Sequence, residues 1–340
     1  MNVLVIKLSA LGDVVMSLPF LEALRRTWPG ARLTWVVEEA AAGLLVGHPH
    51  LDRIIVFGRR RWLAELKKGR PASALRQALA FRRELRRETY DVVVDLQGLL
   101  KSGILIFSSR GRRKIGFDRT RELNWVFLNE KLPPYDPDRH AVLRYLDAAA
   151  HLGADISGGP VFHLPPDAGA ATQAAALLAG AGSPLVAVNP GAKWSSKLWP
   201  AGHWIKLCRR AFEELGAAVV LTGSADEAGA NAGIAGGAPG TLDLTGRTGL
   251  KVLAEVFRRA DVVVGPDTGP VHLAAAVGTK VVALFGPTAP WRTGPWGEEH
   301  TVIRLGRECS PCRRKDCPEP RCMSEISPEA VLAAVRETLG

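Results

Sequence analysis

The sequence contains no apolar run approaching the roughly 20 residues that a membrane-spanning helix requires. Its N-terminus has neither the charged start nor the small-residue cleavage site of a secretory signal. It enters at once into the apolar run Val3-Leu4-Val5-Ile6, which is typical of a buried strand. No nucleic-acid-binding module is recognisable. We therefore expect a cytoplasmic protein that does not cross the membrane.

Basic residues are present in excess and are unevenly distributed. The formal net charge is +10, and residues 1–150 hold 26 Lys and Arg against 16 Asp and Glu, whereas residues 151–340 hold 18 of each. The surplus gathers in three clusters: Arg59, Arg60, Arg61, Lys67, Lys68 and Arg70; Arg82, Arg83, Arg86 and Arg87; Arg110, Arg112, Arg113 and Lys114. Such clusters attract a polyanion, and nucleic acid and an anionic membrane surface or glycolipid are the two candidates. For residues 82–87, a solvated helix face is an equally good interpretation.

The chain of 340 residues is too long for one ordinary core and fits two domains of about 150 residues each. Short apolar runs alternate with helical patterns in both halves. The expected strands are Val3–Lys7, Leu33–Glu38, Arg53–Phe57 and Asp91–Leu96, then Leu185–Val188, Ala217–Leu221, Asp261–Val264 and Lys280–Phe285. Continuous apolar strands between helices predict parallel sheets covered on both faces. We therefore expect an α/β protein of two doubly wound domains, with a break near residues 165–183 and ligands between the domains at the carboxyl ends of the strands.

The first candidate segment runs from Lys7 to Asp13 and joins the first strand to an amphipathic helix. Asp13 occupies a position suited to capping that helix, and capping is one interpretation of its presence. A helix N-terminus also favours the charged form of a carboxylate, which makes Asp13 available as a base. Gly12 permits a close approach of the backbone.

The second candidate segment, residues 189–200, follows the first strand of the second half and contains Lys193 and Lys197. A lysine is a natural partner for a diphosphate because its ammonium is a compact point charge. Lys197 lies just before the helix that Trp199-Pro200 opens. A solvated loop lysine is the alternative interpretation of each.

The third candidate segment is Val264-Gly265-Pro266-Asp267-Thr268-Gly269-Pro270-Val271-His272, a strand that turns tightly into an alanine-rich helix. Unpaired N–H groups and the helix dipole make such a turn an anion site. Asp267 or Thr268 capping the helix, and His272 buried in the core, are the alternatives.

Together the three segments resemble the lipopolysaccharide heptosyltransferases of glycosyltransferase family 9. The shared motifs are Lys-x-Ser-x-x-Gly-Asp at the start, Lys-x-Trp-Pro in the second half and Asp-Thr-Gly-x-x-His near its end. The resemblance covers nearly the whole chain and extends to Trp35-Val36-Val37-Glu38-Glu39, Arg60-Arg61-Trp62, residues 95–102 and Leu244-Thr245-Gly246-Arg247-Thr248. The paired glutamates and Arg-Arg-Trp are most similar to the heptosyltransferase I group.

The resemblance implies a GT-B architecture, in which two Rossmann-like domains face each other across a cleft. The expected division is 1–165 for acceptor binding and 166–340 for nucleotide-sugar binding, with the last helix a candidate to pack back on the first domain. The implied reaction is inverting transfer of heptose from ADP-L-glycero-D-manno-heptose to Kdo-lipid A in inner-core biosynthesis. The enzyme would bind the inner leaflet of the cytoplasmic membrane peripherally and would not bind nucleic acid.

The resemblance also assigns roles to individual residues. Asp13 matches the general base, and Lys197 matches the residue that neutralises the donor phosphates. The residues implied for the donor are Lys193, Glu227, Asp267, Thr268, Gly269 and His272, and those implied for the acceptor are Ser9, Gly12, Arg59, Arg60, Arg61 and Lys101. Asp226 is an alternative to Glu227 for holding the ribose. Transfer requires no cofactor when a lysine and a helix terminus hold the diphosphate.

Four cysteines within 14 residues depart from the plainest family pattern: Cys309, Cys312, Cys317 and Cys322. In a cytoplasmic protein, a structural zinc or iron–sulfur site is favoured over disulfides, although the spacing is not a standard zinc-finger pattern. Disulfides in the purified protein and free thiols are the alternatives. Cys208 lies on a helical pattern and is expected in the core.

Two rival functions remain open at the level of sequence. One is a related family 9 enzyme with another sugar nucleotide or acceptor, since the motifs specify a diphosphate site better than they specify heptose. The other is a non-catalytic nucleic-acid-binding protein, which would account for the basic first half but not for the Asp-Thr-Gly turn.

Overall fold

A computed structural model describes residues 1–120 and 122–340, which divide into two compact units, Met1–His163 and Leu164–Gly340. Each unit has its own parallel sheet with helices between successive strands. The predicted α/β class, with two doubly wound Rossmann-like domains, is confirmed. The division between the units falls two residues before the expected boundary.

The first unit contains six strands and seven helices within the described residues. The strands are β1 (Asn2–Ile6), β2 (Arg32–Glu38), β3 (Arg53–Phe57), β4 (Tyr90–Asp95), β5 (Gly111–Phe117) and β6 (Glu130–Leu132). The helices are α1 (Leu11–Met16), α2 (Leu18–Thr27), α3 (Glu39–Leu45), α4 (Arg59–Lys67), α5 (Pro71–Leu85), α6 (Leu100–Ser108) and α7 (Ala141–His151), with a 3₁₀ helix at Asn124–Phe127.

The strands of the first unit lie in the order β3-β2-β1-β4-β5-β6, and their pairings are parallel. Val3, Leu4, Val5 and Ile6 of the central strand β1 are fully buried, as expected for a strand covered on both faces. The order reverses between β1 and β4. Loops that leave these two strands therefore diverge and open a crevice at the carboxyl edge of the sheet.

The second unit repeats this arrangement. Its strands are β7 (Leu185–Val188), β8 (Ala218–Leu221), β9 (Leu242–Asp243), β10 (Val262–Pro266), β11 (Lys280–Leu284) and β12 (Thr301–Ile303). Its helices are α8 (Ala168–Leu177), α9 (Ala201–Leu215), α10 (Ala228–Gly237), α11 (Leu250–Arg259), α12 (Gly269–Ala276), α13 (Pro290–Thr293), α14 (Arg321–Ser324) and α15 (Pro328–Leu339), with 3₁₀ helices at Ser195–Lys197 and Ala225–Glu227. The strand order is β12-β11-β10-β7-β8-β9, and the switch point lies between β7 and β10.

The last helix differs from its expected placement on the first domain. The buried face of α15 includes Val331, Leu332 and Val335, which join the core of the second unit with Trp204 of α9 and Val282 of β11. This apolar face covers one side of its own sheet, which is the physical reason for its position. No helix in the described parts of the chain has the length and apolar character needed to cross a bilayer.

Candidate functional site

Both sheets place predicted site residues at their switch points. In the first unit, the loop after β1 carries Ser9 and leads to Asp13, and the loop after β4 carries Gln97. The side-chain Oε1 of Gln97 accepts hydrogen bonds from the backbone N–H groups of Leu8 (2.9 Å) and Ser9 (3.0 Å). These bonds tie the two switch-point loops together.

Asp13 does not occupy the cap position that the sequence predicted. Helix α1 begins at Leu11, so Ala10 is the N-cap and Asp13 is the third helical residue. Its Oδ2 still accepts a hydrogen bond from the backbone N–H of Ala10 at 3.0 Å. A carboxylate at this position reaches back to the N-cap amide, so the side chain contributes to capping from three residues beyond the N-cap.

The other oxygen of Asp13 faces a buried cation. Oδ1 lies 3.7 Å from Nζ of Lys7 and 3.5 Å from the hydroxyl of Tyr145. Lys7 is buried and donates to the hydroxyl of Tyr145 at 2.7 Å and to the carbonyl of Leu96 at 3.1 Å. Burial acts to lower the pKa of Lys7, but Asp13 and Tyr145 outweigh it and the pKa is raised. Lys7 therefore keeps its charge, while Asp13 remains 40% exposed and accessible to a substrate.

Asp95 fixes the conformation of the loop after β4. It is fully buried at the end of β4 and accepts hydrogen bonds from the backbone N–H groups of Gln97 (2.8 Å) and Gly98 (3.1 Å). The side chains of Ser102 (2.8 Å) and Asn124 (2.7 Å) donate to its other oxygen. Burial raises the pKa of Asp95 in spite of these bonds. Its hydrogen bonds hold Gln97 where it can bind the loop after β1.

A pair of glutamates holds cations beside this loop. Nζ of Lys101 lies 2.6 Å from Glu38 Oε1 and donates to the hydroxyl of Ser9 at 3.1 Å. The neighbouring Glu39 forms an ion pair with Arg61 at the start of α4. The structure therefore brings Ser9, Lys101 and Glu38 into contact.

The other residues that were predicted to bind the acceptor have different structural environments. Arg59 and Arg60 are exposed at the start of α4. Gly12 is buried within α1, one residue before Asp13. All three arginines are exposed, and Arg61 is also ion-paired with Glu39.

In the second unit, Lys197 and Asp267 meet at the switch point. Nζ of Lys197 donates to Oδ2 and to the backbone carbonyl of Asp267, each at 2.7 Å, and lies 4.8 Å from the ring centroid of Trp194. Asp267 follows β10 and also accepts from Thr288 at 2.6 Å, with Nε2 of His272 3.3 Å from its Oδ1. Aromatic and carboxylate contacts together fix the position of the ammonium.

The charge of Asp267 is stabilised by these neighbours. Burial acts to raise its pKa, but His272 and Lys197 outweigh burial and lower the pKa to about 2. Asp267 is therefore ionised at neutral pH and forms a buried ion pair with Lys197. Removing one member of such a pair leaves the other charge uncompensated.

The Asp-Thr-Gly turn leads directly into helix α12. Thr268 is the N-cap, Gly269 is the first helical residue, and the hydroxyl of Thr268 donates to the carbonyl of Pro266 at 3.1 Å. Because that hydroxyl bonds backward, it does not cap the helix through its side chain. His272 is buried on the same helix, and its contact with Asp267 ties the helix to the turn.

Glu227, and not Asp226, reaches the loop after β7. Its carboxylate accepts hydrogen bonds from the backbone N–H (2.6 Å) and the hydroxyl (2.9 Å) of Ser224. A β-carbon on Gly191 would overlap Oε1 of Glu227, so a larger residue there would require this carboxylate to move. Asp226 is exposed to solvent. Lys193, in the same loop as Gly191, is also exposed.

The cysteine loop, residues 309–322, contacts the segment that carries Lys197. The hydroxyl of Ser195 donates to Asp316 Oδ1 at 2.7 Å, and that of Ser196 donates to the carbonyl of Arg314 at 2.6 Å. Cys309 and Cys312 are exposed, Cys317 and Cys322 are half-buried, and all are free thiols. In the portion of the chain that is described, no three of these sulfur atoms lie within 4.8 Å of one another. The expected metal cluster is therefore not preformed.

Several residues at these sites carried no recognisable signal in the sequence. Tyr145 lies on α7, more than 130 residues from its partner Asp13, and Thr288 lies in the loop after β11. Neither belongs to a motif, so only the fold brings them to the site. The bond between Gln97 and the loop after β1 could have been anticipated, because both follow adjacent central strands.

Comparison with known proteins decides the family. The sequence profile of glycosyltransferase family 9 (heptosyltransferase) matches residues 78–323, which is well over half of the chain. The chain belongs to glycosyltransferase family 9. It is therefore a glycosyltransferase, and the resemblance drawn from its motifs is confirmed.

Similar family 9 proteins cover the chain from end to end. Lipopolysaccharide heptosyltransferase 1 of Pseudomonas aeruginosa is 31% identical over 357 residues, covering 100% of this chain and 98% of that protein. The structure of Escherichia coli heptosyltransferase WaaC with ADP has a TM-score of 0.80 at 28% identity and covers 99% of this chain and 100% of its own. WaaC with ADP-2-deoxy-2-fluoro heptose gives a TM-score of 0.76 at 29% identity, covering 99% of each chain.

Proposed function

We propose that this family 9 enzyme transfers heptose from ADP-L-glycero-D-manno-heptose to Kdo-lipid A, with inversion at the anomeric carbon, in synthesis of the lipopolysaccharide inner core. The similar lipopolysaccharide heptosyltransferases and the WaaC complexes support this donor and this product. The observation that carries the proposal is that each unit holds a charged group of the required sign at its own switch point: an accessible carboxylate, Asp13, in the first unit and a partly buried, ion-paired lysine, Lys197, in the second.

On the acceptor side, Asp13 acts as general base. Its Oδ1 takes the proton of the attacking sugar hydroxyl as the new glycosidic bond forms. Oδ2 stays bound to the Ala10 amide, so the carboxylate keeps its orientation through the reaction. Lys7 and Tyr145 hold Oδ1 from the buried side and leave its exposed side for the substrate.

On the donor side, Lys197 balances the charge that develops on ADP. Attack from the face opposite the diphosphate breaks the bond between the anomeric carbon and the phosphate oxygen, and ADP departs with that electron pair. An ammonium and the amides at the start of α12 stabilise this charge. Asp267 positions the lysine, and Glu227 binds the nucleoside ribose. With these groups in place the reaction needs no metal or other cofactor.

Ser9, Gly12, Arg59, Arg60, Arg61 and Lys101 form the acceptor region. Kdo-lipid A carries carboxylate and phosphate groups, which suit a region where Lys101 and Arg61 are fixed by Glu38 and Glu39. Arg59 and Arg60 remain free to move toward the anion. This assignment accounts for the surplus of basic residues in the first 150 positions.

Helices α4 and α5 associate peripherally with the inner leaflet of the cytoplasmic membrane. Leu63, Leu66, Leu75 and Leu79 on these helices are 40–60% exposed, and α4 also presents Arg59 and Arg60. Exposed apolar side chains insert at the headgroup boundary while Lys and Arg pair with anionic lipids. The location is therefore the cytoplasmic side of that membrane, where the lipid acceptor lies.

The cysteine loop holds a structural zinc or an iron–sulfur cluster in the metal-loaded protein. Burial and the other three cysteines raise the pKa of the Cys322 thiol, so a metal must displace that proton in order to bind. Metal binding would order the cysteine loop. The hydrogen bonds from Ser195 and Ser196 would then restrain the segment that carries Lys197. Metal analysis and the visible spectrum of anaerobically purified protein distinguish zinc, iron–sulfur and metal-free thiols.

The test of the function is a matrix of donors and acceptors. The untagged chain is incubated with Kdo-lipid A and ADP-heptose, ADP-glucose, GDP-mannose or UDP-glucose, and ADP or other nucleotide release and acceptor mass are measured. We expect a product heavier by one heptosyl residue with ADP-heptose and at least 100-fold lower turnover with the other donors.

The rival functions give different outcomes in the same experiment. Faster turnover with another sugar nucleotide, or with an acceptor lacking Kdo, would assign the chain to a different family 9 reaction. Tight binding of oligonucleotides with no turnover of any donor would favour a non-catalytic nucleic-acid-binding protein.

A further inference from the structure

A second cluster of ligand-type side chains lies in the first unit, away from the switch point. Glu22 of α2, His50 in the connection that enters β3, and His163 at the end of the unit place one ligand atom each within 4.8 Å of one another. Connections that enter parallel strands lie at the edge opposite the carboxyl ends, so this cluster is separate from Asp13 and Lys101.

We propose that Glu22, His50 and His163 bind one divalent transition-metal ion, with zinc as the best match. Imidazole nitrogen and carboxylate oxygen are ligands that zinc accepts, and two histidines with one glutamate form a recurrent zinc-binding set. Three protein ligands leave a position for water. Bonds of about 2.0–2.2 Å require ligand atoms no more than about 4.4 Å apart, so the cluster contracts by a few tenths of an ångström on binding.

Glu22 and His50 are already in contact within this cluster. Glu22 Oε2 and His50 Nδ1 lie 2.9 Å apart, and both atoms are buried. A metal ion can take the place of the shared proton in such a contact, so that the carboxylate oxygen and the imidazole nitrogen both become ligands.

Neighbouring groups contact both imidazoles. The rings of His50 and His163 stack with centroids 4.2 Å apart and planes 14° from parallel. Because the lone pair of an imidazole nitrogen lies in the ring plane, one ring must tilt out of this stack for both to bind one ion. His48 Nδ1 accepts from the backbone N–H of His50 at 3.2 Å, so its Nε2 carries the proton and donates to the carbonyl of His163 at 2.7 Å. His48 is therefore a positioning residue and not a ligand. The nearest cation, Arg25, is engaged by Asp52 and the carbonyl of His50.

A metal ion at this position would cross-link segments that are far apart in sequence. Glu22 and His163 are separated by 140 intervening residues, and an ion that binds only the folded arrangement stabilises it by mass action. The ion would fix the last residue of the first unit to α2 and to the connection before β3. Its role is structural, and it does not depend on the identity of the donor or acceptor.

The test uses untagged full-length protein that has been stripped with EDTA and treated with iodoacetamide, which blocks the accessible thiols of the cysteine loop. Zinc binding is measured by calorimetry and by metal analysis after gel filtration, with Mg²⁺ as the comparison ion. The variants are Glu22→Gln and His163→Gln. The matched control is His151→Gln, because His151 also contacts a glutamate, Glu130, at 2.8 Å in the same unit.

We expect one zinc ion per parent chain, and a rise in Tm of about 5 °C when zinc reaches 100 times its Kd. Glu22→Gln and His163→Gln should weaken zinc binding at least tenfold while far-UV circular dichroism is retained, and His151→Gln should bind as the parent does. Cobalt substitution in the unmutated chain provides a test that needs no variant, since tetrahedral Co²⁺ with nitrogen and oxygen ligands gives visible bands without thiolate charge transfer. A parent that binds no zinc, variants that bind it equally well, or a thiolate spectrum would overturn the proposal.

Discussion

The carboxylate of Asp13 divides its contacts between its two oxygens. One oxygen supports the start of α1, and the other lies between Lys7 and Tyr145. The sequence suggested capping and catalysis as alternative roles, and the geometry makes them compatible. A substitution can therefore affect both helix stability and turnover, and the two effects have to be measured separately.

Asp13→Ala is expected to lower kcat by roughly 10²–10⁴ because proton removal from the acceptor is lost. Donor affinity should change by no more than a few fold, since the base contributes to the chemical step. Steady-state kinetics and calorimetry with ADP-heptose provide the two measurements. Near-normal turnover would leave Asp13 with the capping role only.

Lys197→Ala is expected to reduce kcat/KM for ADP-heptose by roughly 10–150-fold, the equivalent of about 1.5–3 kcal/mol for a charge-assisted contact. Lys193→Ala is the matched control, because it removes an exposed lysine from the same loop. If Lys193→Ala has the larger effect, the diphosphate contact belongs to Lys193 and Lys197 serves only to neutralise Asp267.

Asp267 should contribute a distinctive dependence of stability on pH. Its pKa of about 2 in the folded protein lies below the ordinary value, so its contribution is present above about pH 4 and is lost as the pH falls toward 2. The loss is about 2 kcal/mol. Asp267→Asn should therefore reduce stability at pH 6 and show a shallower decline between pH 4 and 2.

The measurement is urea unfolding of parent and variant at several pH values, and Asp226→Asn, which changes an exposed carboxylate, is the control. Because other carboxylates also titrate in this range, the difference between parent and variant is the relevant quantity. Parallel curves for the parent and Asp267→Asn would contradict the assigned pKa.

At the scale of elements, prediction and structure agree best for the strands that consist of continuous apolar runs. The central strands were predicted within one or two residues because each is a short, continuous apolar run, as in Leu185–Val188. Strands β5, β6, β9 and β12, which lie at or next to an edge of their sheets, were not predicted. Strand β5 contains Arg112, Arg113 and Lys114, and β9 has two residues, so neither has an apolar pattern. Their pairing depends on a neighbouring strand that is already in place.

The helices show the same difference between what a local sequence pattern predicts and what tertiary packing decides. One helix was expected after the first strand, but Ser17 separates α1 from α2, and Pro19 lies in the first turn of the second. The position of α15 followed from packing and not from any local motif. The contacts of Tyr145 and Thr288 likewise required the three-dimensional arrangement.

Gly191→Ala should selectively disturb the donor-side loop. An added β-carbon would overlap the Glu227 carboxylate, and that flexible side chain can move only by giving up its bonds to Ser224. We expect at least a tenfold increase in the Kd for ADP-heptose, with a change in Tm of no more than a few degrees. Gly202→Ala, where a β-carbon has open space, is the control, and equal donor affinity for both variants would argue against a role for Glu227.

At the scale of the whole molecule, the distribution of charge separates the proposed roles of the two units. A surplus of ten positive charges in residues 1–150, with balance in the remainder, favours an anionic partner for the first unit. The structure refines this expectation, because Arg59, Arg60 and Arg61 are all exposed and Arg61 is also paired with Glu39.

Replacing Arg59, Arg60 and Arg61 with Gln is expected to raise KM for Kdo-lipid A several-fold and to leave ADP-heptose binding intact. Exposed charges are screened as the Debye length falls below about 10 Å above 0.1 M salt, so added salt should raise the acceptor KM of the parent more than that of the triple variant. Kinetics in both substrates at two salt concentrations measure the effect. Arg110→Gln with Arg112→Gln, at exposed positions outside α4 and α5, controls for the loss of positive charge, and an equal effect of this control would contradict a specific acceptor role.

The single amide of Gln97 has an evolutionary consequence. By accepting from both Leu8 and Ser9, it occupies the backbone N–H groups of these two residues, so the proposed acceptor would be recognised there by side chains such as Lys101 and Arg59. A single codon change can alter such a side chain and leave the loop backbone in place. We therefore expect substitutions in this region to change the preference for the proposed acceptor more readily than the preference for the nucleotide.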